Sequence, residues 1–133
     1  MGDVKNHPVG VSVFFLVILG RGVCRRIHEE LGAGGFDVIL ASAASGEVAH
    51  LSTELPIVYL SDATFAAMRE YYPSFARMHP VSQAQADKME RDAISRANRI
   101  VYPSSWAANS ALRDYGAYVA GSSEPGNVKF VVE

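Results

Sequence analysis

The sequence predicts an α/β fold: a Rossmann-like three-layer α/β/α arrangement around a mainly parallel sheet. Three observations carry this expectation. Short apolar runs occur at 36–41, 56–60 and 99–102, helical patterns lie between them, and the connections are short. Strands joined this way pair in parallel through right-handed crossovers, with helices expected on both faces of the sheet. The 133 residues suit a single domain spanning 1–133, long enough to bury a real core.

The elements follow in order. Residues 21–31 read as a helix, because Cys24, Ile27 and Leu31 have helical spacing. Residues 9–19 stay open between strand and helix. Val11-Ser12-Val13 is strand-like, Val13 and Val17 have helical spacing, and Gly20 and Gly22 each disfavour helix by about 1 kcal/mol. Gly32, Gly34 and Gly35 end the helix, and FDVILA at 36–41 reads as a buried strand. Ser45 starts a short helix over 45–51, and PIVYL at 56–60 is the next strand, with Pro56 at its tolerant first position. Asp62 is expected to cap a helix with Phe65, Met68 and Tyr72 inward, which Pro73 breaks. Residues 73–81 read as a loop. Ser82 and Gln85 form a capping box for a helix with Ala86, Met89, Ala93, Ile94 and Ala97 on one face. RIVY at 99–102 is the third strand. Ser104 caps a helix with Ala108, Ala111, Leu112 and Tyr115 inward, and Gly116 sits where a C-terminal glycine belongs. VKFVV at 128–132 reads as the last strand.

Composition excludes several classes. The net charge of −2 gives no basic excess to neutralise phosphates, so no nucleic-acid partner is expected. The single Cys24 excludes a disulfide framework and CxxC chemistry, and fits a reducing, cytoplasmic setting. The apolar run Val13–Leu19 falls far short of the roughly 20 residues that span a bilayer, so no membrane span is expected. It could pass for a signal-peptide core, but Asp3 offsets Lys5 and no cleavage site of small residues follows. A buried core segment is the favoured reading.

In open α/β sheets, ligands collect at the carboxyl ends of strands. Three such ends are legible: Ser42 to Gly46, Ser61 to Thr64, and Pro103 to Ser105. Each is small and polar and leads into a helix N-terminus, where N–H groups and the helix dipole favour acceptors and anions. Ser42, Ser45, Gly46, Ser61, Thr64, Ser104 and Ser105 are therefore the candidate binding residues for a phosphate, carboxylate or sugar hydroxyl, with ordinary N-capping as the plainer alternative for each loop. Asp62 is the candidate catalytic residue. A carboxylate there can orient a sugar hydroxyl or accept its proton, or it can simply cap the helix.

Other signals are weaker. Gly20-Arg21-Gly22 lacks the third glycine of a dinucleotide fingerprint, so no nucleotide cofactor is expected. Cys24 and His28 are only two ligands, and His7, His50 and His79 share no ligand spacing, so no metal site is expected. Arg25 and Arg26 stand four residues before Glu29 and Glu30, the pattern of a solvated helix face. Tyr71, Tyr72, Phe75 and Trp106 could stack on a sugar ring, although aromatics at helical spacing are more often core. A phosphoacceptor receiver domain is superficially suggested by PIVYLSDAT. It fails because the strand end at Ser42 has no acceptor aspartate.

Residues 36–65, FDVILASAASGEVAHLSTELPIVYLSDATF, resemble the middle of the N-terminal domain of family 4 glycosyltransferases of the GT-B fold. Met68, Tyr71-Tyr72-Pro73 and Phe75 look like the segment that follows there. Glu90, Ala93, Ala97, Ile100-Val101, Ser104-Ser105 and Trp106-Ala107 look like the next, and Tyr115-Gly116 with Val128 to Val132 like the one after. The resemblance covers about residues 21–132. It implies an acceptor-binding Rossmann-like domain facing a nucleotide-sugar-binding one, and transfer with retention and no obligate metal. Asp62 stands where the family often has a cleft-facing His or Asp. The family's first strand and its glycine-rich loop are not recognisable before residue 21, and the donor half with its paired glutamates is not among these residues. The resemblance therefore implies acceptor binding rather than catalysis by this chain alone, since binding without a donor site lowers no barrier. The implied partners are a sugar or glycan acceptor and a separate donor-domain chain. The competing expectation is a non-catalytic interaction module that covers its apolar surface as a homo-oligomer.

Overall fold

The computed structural model describes residues 22–117. The apolar segment at 9–19 and the strand expected at 128–132 lie outside the described residues. Within them the chain is mixed α/β, with helix α1 through residues 22–32 leading into a three-stranded parallel sheet. The strands are β1 (Ile39–Ser42), β2 (Ile57–Leu60) and β3 (Arg99–Val101), adjacent in chain order. Helix α2 (Ser45–His50) connects β1 to β2. Helices α3 (Phe65–Tyr71), α4 (Pro73–Ala76) and α5 (Pro80–Arg96) connect β2 to β3, and α6 (Ser105–Tyr115) follows β3.

The sheet is narrower than the apolar runs suggest. Phe36 and Val38 were expected inside a buried strand, yet both are exposed and unpaired with β2. Pairing begins at Ile39, whose N–H donates to the carbonyl of Pro56, because β2 itself starts only after that proline. The amino end of β2 is closed by Asn98. Its side-chain oxygen accepts from Ile57 N–H and its own N–H donates to the Ile57 carbonyl, both at 2.8 Å.

Alternation along the strands separates two faces. Ala41, Ile57, Tyr59 and Ile100 point to the core shared with α1, α2, α5 and α6, and Ile39 packs against it. In register on the other face lie Leu40, Val58 and Leu60, which join neither buried cluster. A second, smaller cluster seats Phe65 and Met78 against Met68 and Phe75, with the Phe65 and Phe75 rings edge-on at 6.1 Å.

Several helix boundaries differ from the expectations. Residues 73–81 are not a loop: they hold α4 and the start of α5, each with proline in the first turn, where its missing N–H costs nothing. Helix α5 is capped by His79, whose Nδ1 accepts from Val81 N–H, so the capping box expected at Ser82 does not form and Ser82 is buried in the first turn. Gln83 instead ties α5 back to α4, donating from Nε2 to the carbonyls of Ala76 and Met78. Tyr72 lies one residue past α3 in extended backbone, so the helical period no longer turns it inward. Ser104 and Gly116 behave as the sequence indicates. The Ser104 hydroxyl accepts from Ala107 N–H, and Gly116 adopts a left-handed φ of 66° to end α6.

Candidate functional site

The three strand ends expected to collect a ligand sit side by side, because Ser42, Leu60 and Val101 are in register at the carboxyl edge of the sheet. Their side chains divide into two groups.

At the end of β1, Ser42 is exposed, and the chain then turns through Ala43 at φ 49°, a left-handed conformation that costs a residue with a Cβ roughly 1–2 kcal/mol. Ala43 is held there by its N–H, which donates to the Leu60 carbonyl at 2.8 Å. Because of this turn, the residue preceding α2 is Ala44, and no side chain caps the helix. Ser45 is already inside the first turn, half-buried beside the Tyr59 phenol and the Glu90 carboxyl. Gly46 is half-buried too. A Cβ there would make ordinary contact with Met89 Sδ at 3.9 Å, so packing does not demand a glycine.

At the end of β2, Ser61 and Thr64 are buried and engaged within the loop. The Ser61 hydroxyl donates to the Ala63 carbonyl at 2.9 Å. Thr64 Oγ1 accepts from Ala67 N–H at 3.1 Å and shares a 2.6 Å hydrogen bond with Ser110 of α6. Thr64, not Asp62, is therefore the cap of α3, which corrects the capping role expected of Asp62. Asp62 is exposed between these two buried hydroxyls and makes no hydrogen bond or ion pair among the described residues. At the end of β3, Ser104 serves as a cap while Ser105 is exposed in the first turn of α6. The outward-facing groups at the edge are thus Ser42, Asp62 and Ser105.

Beneath the edge runs a polar seam. Glu90 of α5 is 4% exposed, and its Oε1 accepts from the Tyr59 hydroxyl at 3.4 Å. Burial pushes the Glu90 carboxyl up to about 7, against the opposing pull of Tyr59 and Ser45 and with the help of the Asp87 charge. Burial likewise pushes the phenols of Tyr59, Tyr102 and Tyr115 well above their ordinary range. The Tyr115 hydroxyl accepts from Ala66 N–H at 3.0 Å and donates to Asp87 Oδ1 at 2.8 Å, joining α3, α5 and α6. Asp87 also pairs with Arg69 at 3.5 Å. The signal for Glu90 was present in the helix pattern: it falls one turn from Ala86, Ala93 and Ile94, on the inward face.

The aromatic residues also differ from the core reading. Tyr71, Tyr72 and Trp106 are 69%, 47% and 44% exposed, and together they line a recess of about 280 Å³. Cys24 is buried, its thiol donating to the Glu47 carbonyl, and burial raises its pKa, so it is no reactive nucleophile. Among the described residues, no group of three His, Cys, Asp or Glu side chains could hold a metal ion. Nor is any described helix long and apolar enough to cross a membrane. No family model, curated protein or solved structure matches the chain.

Proposed function

We propose that this chain is the acceptor-side, Rossmann-like domain of a family 4-type glycosyltransferase system, holding a sugar-bearing acceptor at the carboxyl edge of its sheet. The observation that carries the reading is the state of Asp62. The capping role that would explain a buried-loop carboxylate is filled by Thr64, which leaves Asp62 exposed at a strand's carboxyl end with no structural partner among the described residues. A carboxylate in that position orients an acceptor hydroxyl and draws on its proton. Ser42 and Ser105, exposed at the neighbouring strand ends, offer further hydrogen bonds to the same acceptor. The polar seam below them, from Tyr59 to Glu90 and from Ala66 through Tyr115 to Asp87, ties β2, α3, α5 and α6 together behind the edge. Transfer itself needs a donor-binding half facing this edge, so the domain alone binds and orients.

A thermal-shift panel tests the reading. Free glycans should raise the melting temperature of the chain, and UDP-, GDP- and ADP-sugars should not, since the donor site belongs to the facing half. A flat response to every glycan at millimolar concentration would sink it.

One observation favours a second reading, a homo-oligomeric interaction module. Phe36, Val38 and Leu40 alternate along β1 and its approach, all at least half exposed, with Leu40 at 70%. An apolar strip of this kind is characteristically covered by association. Sedimentation velocity over a concentration series decides it: self-association abolished by Leu40→Lys supports the module, and a monomer at all concentrations rejects it.

A further inference from the structure

We infer that Tyr71, Tyr72 and Trp106 form a pyranose-stacking platform at the seam of α3 and α6. The three residues come from two helices. Tyr71 and Tyr72 close α3, and Trp106 lies in the first turn of α6, the helix that follows β3. Tyr71 stands edge-on to Tyr72 at 4.9 Å and 78°, and edge-on to Trp106 at 5.9 Å and 68°. Edge-on contacts use the rim of one ring against its neighbour and leave other ring faces open to solvent.

An aliphatic patch of this size would indicate only an apolar partner. Among the described residues this one is lined by aromatic side chains alone, and each ring carries a polar tip, two phenol hydroxyls and an indole N–H, that makes no hydrogen bond to another described residue. Apolar faces edged with hydrogen-bonding groups match a sugar ring, which presents C–H faces and an equatorial rim of hydroxyls. Rigid aromatic side chains with few rotatable bonds also lose little entropy when they grip a ligand. The recess, about 280 Å³, lies at the small end of ligand sites, which run from roughly 300 Å³ upward, and suits one or two sugar rings rather than a protein surface. The seam continues into a polar pair. Arg113, two turns after Trp106 on α6, holds Glu70, the residue before Tyr71, at 2.9 Å. The choice of a sugar as occupant rests on the acceptor reading, whereas the platform itself rests on the arrangement of the rings.

Trp106 is the sole tryptophan of the chain, so its fluorescence reports on this recess alone. The full chain is titrated with cellotetraose, maltotetraose and diacetylchitobiose, with sorbitol as an open-chain control. The expected result is a saturable change in emission with at least one saccharide and none with sorbitol. Tyr71→Ala should weaken that binding about tenfold. Trp106→Phe, followed by calorimetry, should retain most of it, because a ring remains. Lys88→Ala, an exposed change on α5 outside both the recess and the carboxyl edge, should leave the emission change in place. If no saccharide moves the emission, or sorbitol moves it equally, the inference is overturned. If Tyr71→Ala binds like the wild type while Asp62→Asn does not bind, the platform fails and the acceptor reading survives. Tyr71 is exposed, so loss of fold is not expected. A circular-dichroism melt of each variant verifies this.

Discussion

Asp62 and Glu90 are both carboxylates close to the carboxyl half of β2, and the fold treats them oppositely. Glu90 projects from α5 into the seam against the sheet, 4% exposed, with the Tyr59 phenol donating to it. Asp62 projects from the loop after β2 into solvent, flanked by Ser61 and Thr64, which hold the loop without its help. The difference teaches where structure and function divide in this domain. A buried carboxylate must be satisfied internally or lose its charge, which makes it part of the scaffold. An exposed carboxylate with no duty in the scaffold is available to a ligand.

The largest effect is expected at Glu90. Its pKa is raised from an ordinary 4.5 to about 7 in the folded chain. A group raised in this way stabilises the fold fully below its unfolded pKa, and that contribution is lost as the pH rises through the folded value. Stability should therefore fall between about pH 4.5 and somewhat above pH 7, by up to about 3 kcal/mol from this group. Glu90→Gln, which keeps an oxygen for Tyr59 but carries no charge, should flatten the profile and melt higher than the wild type at pH 8. Denaturant melts across that range measure it. Parallel profiles for the two proteins would mean that Glu90 is not the buried charge described here. Asp114, held below its ordinary range by Arg113, loses its contribution only at lower pH, so the two windows stay apart.

A smaller loss is expected from Thr64→Val. It removes the α3 cap and the bond to Ser110 while keeping the shape, and should cost about 2 kcal/mol in denaturant melts at any pH. A change within experimental error would return the capping role to Asp62 and blur the comparison. The smallest effect is expected from Asp62→Asn, whose stability should stay within about 0.5 kcal/mol of the wild type, as for a surface site with no partner.

These cases also mark how far the sequence could be read. The strand–helix order, the Ser104 cap and the Gly116 stop were legible, because Pro103 turns the chain just before Ser104 and a glycine follows the last inward residue, Tyr115. The choice between Asp62 and Thr64 was not. Two good caps stand two residues apart, and only the backbone at the helix entry decides between them. Phe36 and Val38 looked like strand because apolar runs are counted without their partner, and β2 begins too late to pair them. Tyr71, Tyr72 and Trp106 lie at helix ends, where the helical period stops fixing which way a side chain faces. The exposed edge groups Ser42, Asp62 and Ser105 were all named from sequence. Their division from the buried Ser61 and Thr64 required the three-dimensional loop.

The central claim is that Asp62 serves an acceptor and not the fold. The most direct measurement is an amide-resolved chemical-shift titration of wild type and Asp62→Asn with the best-shifting glycan of the thermal panel. The wild type should show saturable shifts centred on Ser42 to Gly46, Asp62 and Ser104. In Asp62→Asn the affinity should be lower by about tenfold or more, the cost of losing a charge-assisted hydrogen bond, with the fold unchanged. Equal affinity in the two proteins, or shifts confined to residues away from the carboxyl edge, would contradict it.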